Sequence, residues 1–243
     1  AAMEMRCGVL YQLMNKDKVV ATYEEEKRLD DYRYTEIERL DGYVPYGFID
    51  INDWIDGRQI AKHRTSIERL MRELGLTTRH DFISMARCLA LTDTFWMKRA
   101  DEDISWNDVS LYRNPFDDVI ARIAFDGTGI YGRQNSPTSP EFAAAIIDGT
   151  VREGDQVSLL KRGSEGYANA GFEPYSEVLA AEVLQAASID HVLYTIENFH
   201  GKLASKCPLF TSEKVGFVSA HRFFDGPFDV EDVLAFCDAH GGD

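Results

Sequence analysis

Apolar and polar residues alternate near the start of the chain. Cys7, Val9, Tyr11 and Leu13 share one face of an extended segment, with Gly8, Leu10 and Gln12 on the other. Lys16-Asp17-Lys18 reads as a turn, and Val19–Tyr23 continues as a second strand, so residues 5–49 are expected to be β-rich and to open with a hairpin. The run Glu24–Asp31 mixes charges without spaced His or Cys and reads as a solvated connection. From residue 51 to 124 the period lengthens to that of helices. Thr65-Ser66-Ile67-Glu68 is a capping box, followed by the stripe Ile67, Leu70, Met71 and Leu74 and a stop at Gly75. A second helix is expected over His80–Leu91, with Phe82, Met85, Ala86 and Leu89 on one face. Ser105-Trp106-Asn107-Asp108 opens a short helix, and Phe116, Val119, Ile120 and Ile123 give another after Pro115.

Five Gly and Pro residues between 126 and 140 mark a loop or domain boundary. Beyond it, strands are expected over residues 156–161, 191–196, 202–210 and 215–223. A helix starting at Pro174 reaches Ala187, and Val233, Leu234, Phe236 and Cys237 suggest one more. The whole is an α+β pattern: a β-rich N-terminus, a helical middle, then strands around one helix. No repeat or low-complexity tract interrupts it.

Charge narrows the function classes. The 243 residues carry 26 Lys and Arg against 41 Asp and Glu, a net −15 that opposes whole-molecule attraction to nucleic acid or an anionic membrane. Residues 225–243 hold six acids and no Lys or Arg, whereas residues 58–72 carry Arg58, Lys62, Arg64, Arg69 and Arg72 against Glu68. Cys7, Cys88, Cys207 and Cys237 are too widely spaced for a zinc site or disulfide scaffold and read as free thiols of a cytoplasmic protein. No apolar run approaches the ~18 residues of a membrane helix. The start shows no basic-then-apolar secretory signal, and Met3 is the expected native first residue.

The helix 174–187 concentrates the chemistry. Tyr175, Val178, Leu179, Ala180, Ala181, Val183, Leu184, Ala186 and Ala187 surround it, so it is expected to be buried on most faces. It nevertheless carries Glu177 and Glu182, and a buried carboxylate needs a cation. Lys161 ends the preceding strand, across a glycine-containing loop at residues 163–171. A strand lysine reaching a helix glutamate positions nucleotide phosphates in kinase folds. The spacing fits equally a surface Lys161 with Glu177 at a helix edge.

Several motifs together resemble bacterial HipA-like serine/threonine kinases, most closely the divergent branch related to CtkA. They are Asp93-Thr94-Phe95-Trp96-Met97-Lys98, Val109–Asn114, Ser136–Glu141, Leu160-Lys161-Arg162-Gly163, Glu173-Pro174-Tyr175-Ser176-Glu177 and Gly201–Cys207. The resemblance runs in order from about Leu10 to Phe224. It implies an N-terminal domain over residues 1–125 and a kinase-small-lobe-like antiparallel sheet with one buried helix over residues 126–243. It further implies ATP with Mg²⁺ as ligand, Lys161 as the phosphate-contacting lysine and Glu177 as its helix partner, with Glu173 and Glu182 as fallbacks. His221 and Phe223 would bind adenine through main-chain atoms; the Phe223 side chain itself reads as core packing.

Two departures accompany the matches. The family's phosphate loop, Ser-x-x-Gly-x-x-x-Lys, falls here on Ala143, Ile146 and Thr150, and Ile cannot offer a phosphate the unhindered N–H of Gly. Only 82 residues follow Lys161, and none after Phe223 is an Asn, so no catalytic loop or Mg²⁺-binding pattern is found. The expectation is the N-terminal region and small lobe of such a kinase, with the second lobe missing and no phosphoryl transfer. No catalytic or metal-ligating residue is therefore assigned. The alternative is a nucleic-acid-binding regulator using the basic segment 58–72, which the acidic body disfavours. A partner-docking groove in residues 51–124 is a third class that nothing discriminates. No protein substrate or antitoxin-like partner is specified.

Overall fold

The computed structural model describes residues 8–58, 78–114, 150–154, 156–163, 171–199, 201–218, 223–224 and 229–240. The fold is α+β, as the pattern implied. Its first sheet comprises β1 (Leu10–Asn15), β2 (Lys18–Lys27), β3 (Tyr32–Arg39) and β4 (Phe95–Arg99), all antiparallel in the order β3-β2-β1-β4. The β1–β2 hairpin forms as expected, pairing Tyr11 with Tyr23 and Leu13 with Ala21. Alternation then places Tyr11, Leu13, Ala21 and Tyr23 on one face, and all four are buried.

Two helices close this sheet. In α1 (Ile51–Arg58), Ile51, Trp54 and Ile55 are spaced to share one face, and all three are buried. Asp50 caps its start by accepting from the Asn52 and Asp53 N–H groups, at 2.7 and 2.9 Å. The Asn52 amide exchanges two hydrogen bonds with the Tyr34 backbone, which pins the helix to β3. In α2 (Arg79–Ala86) a Thr78–Asp81 capping box sets the start. The helix stops at Arg87, which is left-handed with φ 51°, well before the expected Leu91. The short α3 (Trp106–Val109) begins at the Ser105 capping box anticipated for it.

Two expectations in this half are corrected. Phe95–Arg99, inside the stretch read as helical, is a strand paired to β1, with Met97 opposite Leu13. Glu24–Lys27 extends β2, and the Glu25 side chain is buried, whereas Glu24, Glu26 and Lys27 are exposed and residues 28–31 form the expected solvated connection. The helices expected over 65–75 and 116–123, and the boundary segment 126–140, lie outside the described residues.

The second sheet contains β5 (Thr150–Glu153), β6 (Gln156–Arg162), β7 (Thr195–Phe199) and β8 (Lys202–Pro208) in the order β5-β6-β8-β7. The helix α4 (Glu173–Ala186) connects β6 to β7, with Pro174 in its first turn. The third strand starts at Thr195, not at residue 191, and residues 215–218 form no strand. A last helix, α5 (Val230–His240), contains the apolar residues expected of it.

The burial of α4 is also corrected. Only Pro174 and Ala181 are buried, while Tyr175, Leu179 and Val183 are 50%, 65% and 60% exposed. One side of the helix rests on the sheet, and no other described element covers the opposite side. The open side carries Tyr175, Leu179 and Val183 together with Ala180 and Ala186.

The segment after β8 returns to the first sheet. Thr211 Oγ1 donates to the Leu91 carbonyl at 2.5 Å, and Phe217 N–H donates to the Thr92 carbonyl at 2.8 Å. A Cβ on Gly216 would stand 3.0 Å from that Thr92 oxygen, so glycine allows the close approach. From β5, Arg152 Nη2 reaches the carbonyls of Leu111 and Tyr112, at 3.1 and 3.0 Å. Among the described residues no helix is long and apolar enough to cross a membrane.

Candidate functional site

Lys161 and Ser205 are direct partners across β6 and β8, so their side chains leave the sheet on the same face. The helix α4 lies over that face and lowers Glu177 onto both. Lys161 Nζ is 3.0 Å from Glu177 Oε1. Ser205 Oγ donates to the other carboxylate oxygen, Oε2. The Tyr194 ring stands under the ammonium, its centroid 5.7 Å from Nζ.

The lysine keeps access to solvent, its side chain being 53% exposed. Partial burial pulls the Lys161 ammonium down, but the hydrogen bond and charge of Glu177 outweigh it, and the net position is above that of an ordinary lysine. The ammonium therefore stays charged, and its exposed side is open to an anion. Behind it, burial pushes the Cys207 thiol up, which leaves it a packing group and not a nucleophile. On β8, Lys206 bridges Glu153 and Glu197, both at 3.0 Å, and so ties β5 to β7 across the sheet.

The glycine-containing loop closes tightly at its neck. A Cβ on Gly163 would come within 2.5 Å of Gly171 Cα and 2.9 Å of Glu173 Oε2. Only glycine at 163 lets the strand end and the helix start meet. This contact sets the distance between Lys161 and α4.

The structure thus brings Lys161 and Glu177 together. The fallback Glu173 sits at the loop neck, and Glu182 faces solvent. Phe223 is a packing residue, its ring 4.5 Å from Tyr46 and 4.7 Å from Phe236. His221, Ala143 and Ile146 lie outside the described residues, and Thr150 starts β5 opposite Leu159. Of the basic island only Arg58 is described, and it points inward. Its side chain is 8% exposed, pairs with Asp93, donates to the Cys88 carbonyl at 2.9 Å and stacks 4.4 Å over Trp54. It is a structural cation. Tyr194 reads in the sequence only as one residue of an alternating strand face, and Ser205 only as part of the Gly201–Cys207 motif; neither is marked as a site residue, because their approach to Lys161 comes from tertiary packing.

A second polar cluster lies on the first sheet. Glu25 accepts from the Tyr34 hydroxyl at 2.6 Å and meets His80 Nδ1 at 2.6 Å, while Tyr32 stacks on the imidazole at 4.7 Å. Burial, then the Glu25 contact, pushes the Tyr34 phenol far up, so it remains a donor. Beside it is an open cleft of about 560 Å³ lined in part by Arg28, Tyr32, Asp50 and Arg79. Arg79 is held there by Asp31 and Asp56, at 2.8 and 2.6 Å. The cluster fastens α2 to the sheet. Among the described residues no group of three His, Cys, Asp or Glu is placed to hold a metal ion.

No family model matches the chain, and no curated protein or solved structure matches it either.

Proposed function

We propose that the chain is the N-terminal part of a HipA-like serine/threonine protein kinase. In this reading residues 126–243 are the nucleotide-contacting small lobe and residues 1–125 the N-terminal domain. The observation that carries it is the 3.0 Å contact between Lys161 of β6 and Glu177 of α4. In protein kinases a strand lysine paired with a helix glutamate is held where it meets the nucleotide phosphates. The order strand, strand, helix, strand, strand supports the same reading, with β8 between β6 and β7. The ligand is ATP with Mg²⁺, and Lys161 is its contact in this chain.

Phosphoryl transfer is not assigned to these residues, because it needs a base Asp and Mg²⁺-holding Asp and Asn groups and none of the motifs that carry the resemblance supplies them. The altered phosphate loop also weakens the cradle for the phosphates. A cytoplasmic setting belongs to the proposal and is supported by the buried free thiols of Cys88 and Cys207.

Calorimetric titration with ATP and Mg²⁺ tests the reading. The wild-type chain is expected to bind weakly, with a Kd of about 1 mM, and Lys161→Met to lose that binding. Equal affinity in both proteins would overturn the assignment of Lys161. Transfer of labelled phosphate by the pure wild-type chain would overturn its inactivity.

A further inference from the structure

We propose that Ser205 is the positioning residue of the Lys161–Glu177 pair: its hydroxyl fixes one carboxylate oxygen so that the other is always presented to the lysine. The inference rests on the reading of Lys161 as the nucleotide-contacting lysine, and it assigns that site a third member from a third element.

Ser205 is 1% exposed and lies where β6, β8 and α4 converge. Its Oγ is within reach of two acceptors, Glu177 Oε2 and, at 3.5 Å, the Lys161 carbonyl. A hydroxyl has a single proton. The carboxylate is both nearer and charged, so the proton goes to Glu177. The carbonyl contact is the weaker remainder.

This division of the carboxylate has a physical consequence. Lys161 and Glu177 both have flexible side chains and both reach solvent. Such pairs are worth little, because holding two side chains in one geometry costs rotamer freedom. The helix that carries Glu177 is loosely seated, with only Pro174 and Ala181 buried. A hydrogen bond from a residue fixed in the middle of a sheet removes that freedom before any nucleotide arrives. Glu177 then points at Lys161 because Ser205 holds it, and Lys161 points outward because Glu177 holds it. Ser205 itself does not touch the ligand.

The test uses the full chain with Lys161 assigned by NMR, and the variants Ser205→Ala and Ser205→Thr. Ser205→Ala is expected to fold and to melt only a little below the wild type, since Glu177 loses a donor but its side chain still reaches water. Its Lys161 titration midpoint should move down toward that of an ordinary lysine, and its ATP affinity should fall about tenfold. Ser205→Thr keeps the hydroxyl and is expected to restore both. An unchanged Lys161 midpoint in folded Ser205→Ala, or failure of Ser205→Thr to restore it, overturns the proposal. Should Ser205→Ala melt early, Ser205→Cys keeps the volume with a weaker donor and is read by the same midpoint. The Lys161 midpoint is measured without nucleotide. A shift there combined with no ATP binding in any protein would sink the kinase reading and leave the positioning role standing.

Discussion

Arg113 and Glu213, 100 positions apart, meet at two points, with Nε 2.7 Å from Oε1 and Nη2 2.7 Å from Oε2. The same Oε1 accepts from Trp106 Nε1 at 2.7 Å and from Ser110 Oγ at 3.2 Å. One carboxylate thereby gathers α3, the turn after it and the segment that follows β8. Arg113 is half exposed, so water weakens the ionic part. Trp106 is buried, and its indole N–H donates to Glu213.

Glu213→Ala is therefore expected to cost about 2 kcal/mol, mainly through the stranded indole N–H. Glu213→Gln keeps an acceptor and should cost less than half as much. Urea unfolding followed by circular dichroism measures both. A Glu213→Ala midpoint equal to that of the wild type would contradict the clamp.

The clamp also has a pH signature. The Arg113 guanidinium beside Glu213, helped by the Trp106 and Ser110 donors, holds its carboxyl below the ordinary value near 4.5, against a smaller opposing effect of burial. A carboxylate depressed in the folded state stabilises fully above its unfolded value, and that contribution is lost as pH falls through the folded one. Tryptophan emission in the wild type should change below pH 4.5, and Glu213→Gln should lack that step. The same acid profile in both proteins would show that another group is responsible.

Arg58 is expected to behave as a core residue. It is buried against Asp93, the Cys88 carbonyl and the Trp54 ring. Removing one partner of a buried pair costs roughly 3–5 kcal/mol. Arg58→Ala should lower stability by that order in chemical denaturation. Gel shifts on duplex DNA at low salt should show no retardation of either protein. Salt-sensitive retardation of the wild type would revive the nucleic-acid reading.

Leu179 and Val183 stand on the open side of α4. The pair of changes Leu179→Gln and Val183→Gln should alter stability by no more than about 0.5 kcal/mol. A loss of several kcal/mol would mean that this side of the helix is packed, as its composition alone suggested.

That contrast shows how far the sequence could be read. The β1–β2 hairpin was legible because one face alternates and a charged turn separates the strands. The helix α3 was legible from its capping box, whereas the residue types flanking the glycine loop left the Lys161–Glu177 pairing open against a surface lysine, and only the family resemblance selected it. β4 was not, since Phe95-Trp96-Met97 is a continuous apolar run with neither the helix nor the strand period. Glu25 was hidden among acids that look solvated, and its burial depends on Tyr34 and His80, which come from other elements. The exposure of α4 depends on what covers it, which its own composition does not encode. Ser205 became visible only when β8 was placed beside β6.

In the proposed role Lys161, held by Glu177, contacts nucleotide phosphates. NMR of lysine-labelled chain during titration with ATP and Mg²⁺ reads that contact at the lysine itself. Saturable shifts of the Lys161 signals are expected, absent when adenosine replaces ATP and strongly reduced in Glu177→Gln. Lys161 signals that stay fixed up to saturating ATP, or that respond equally to adenosine, would contradict it.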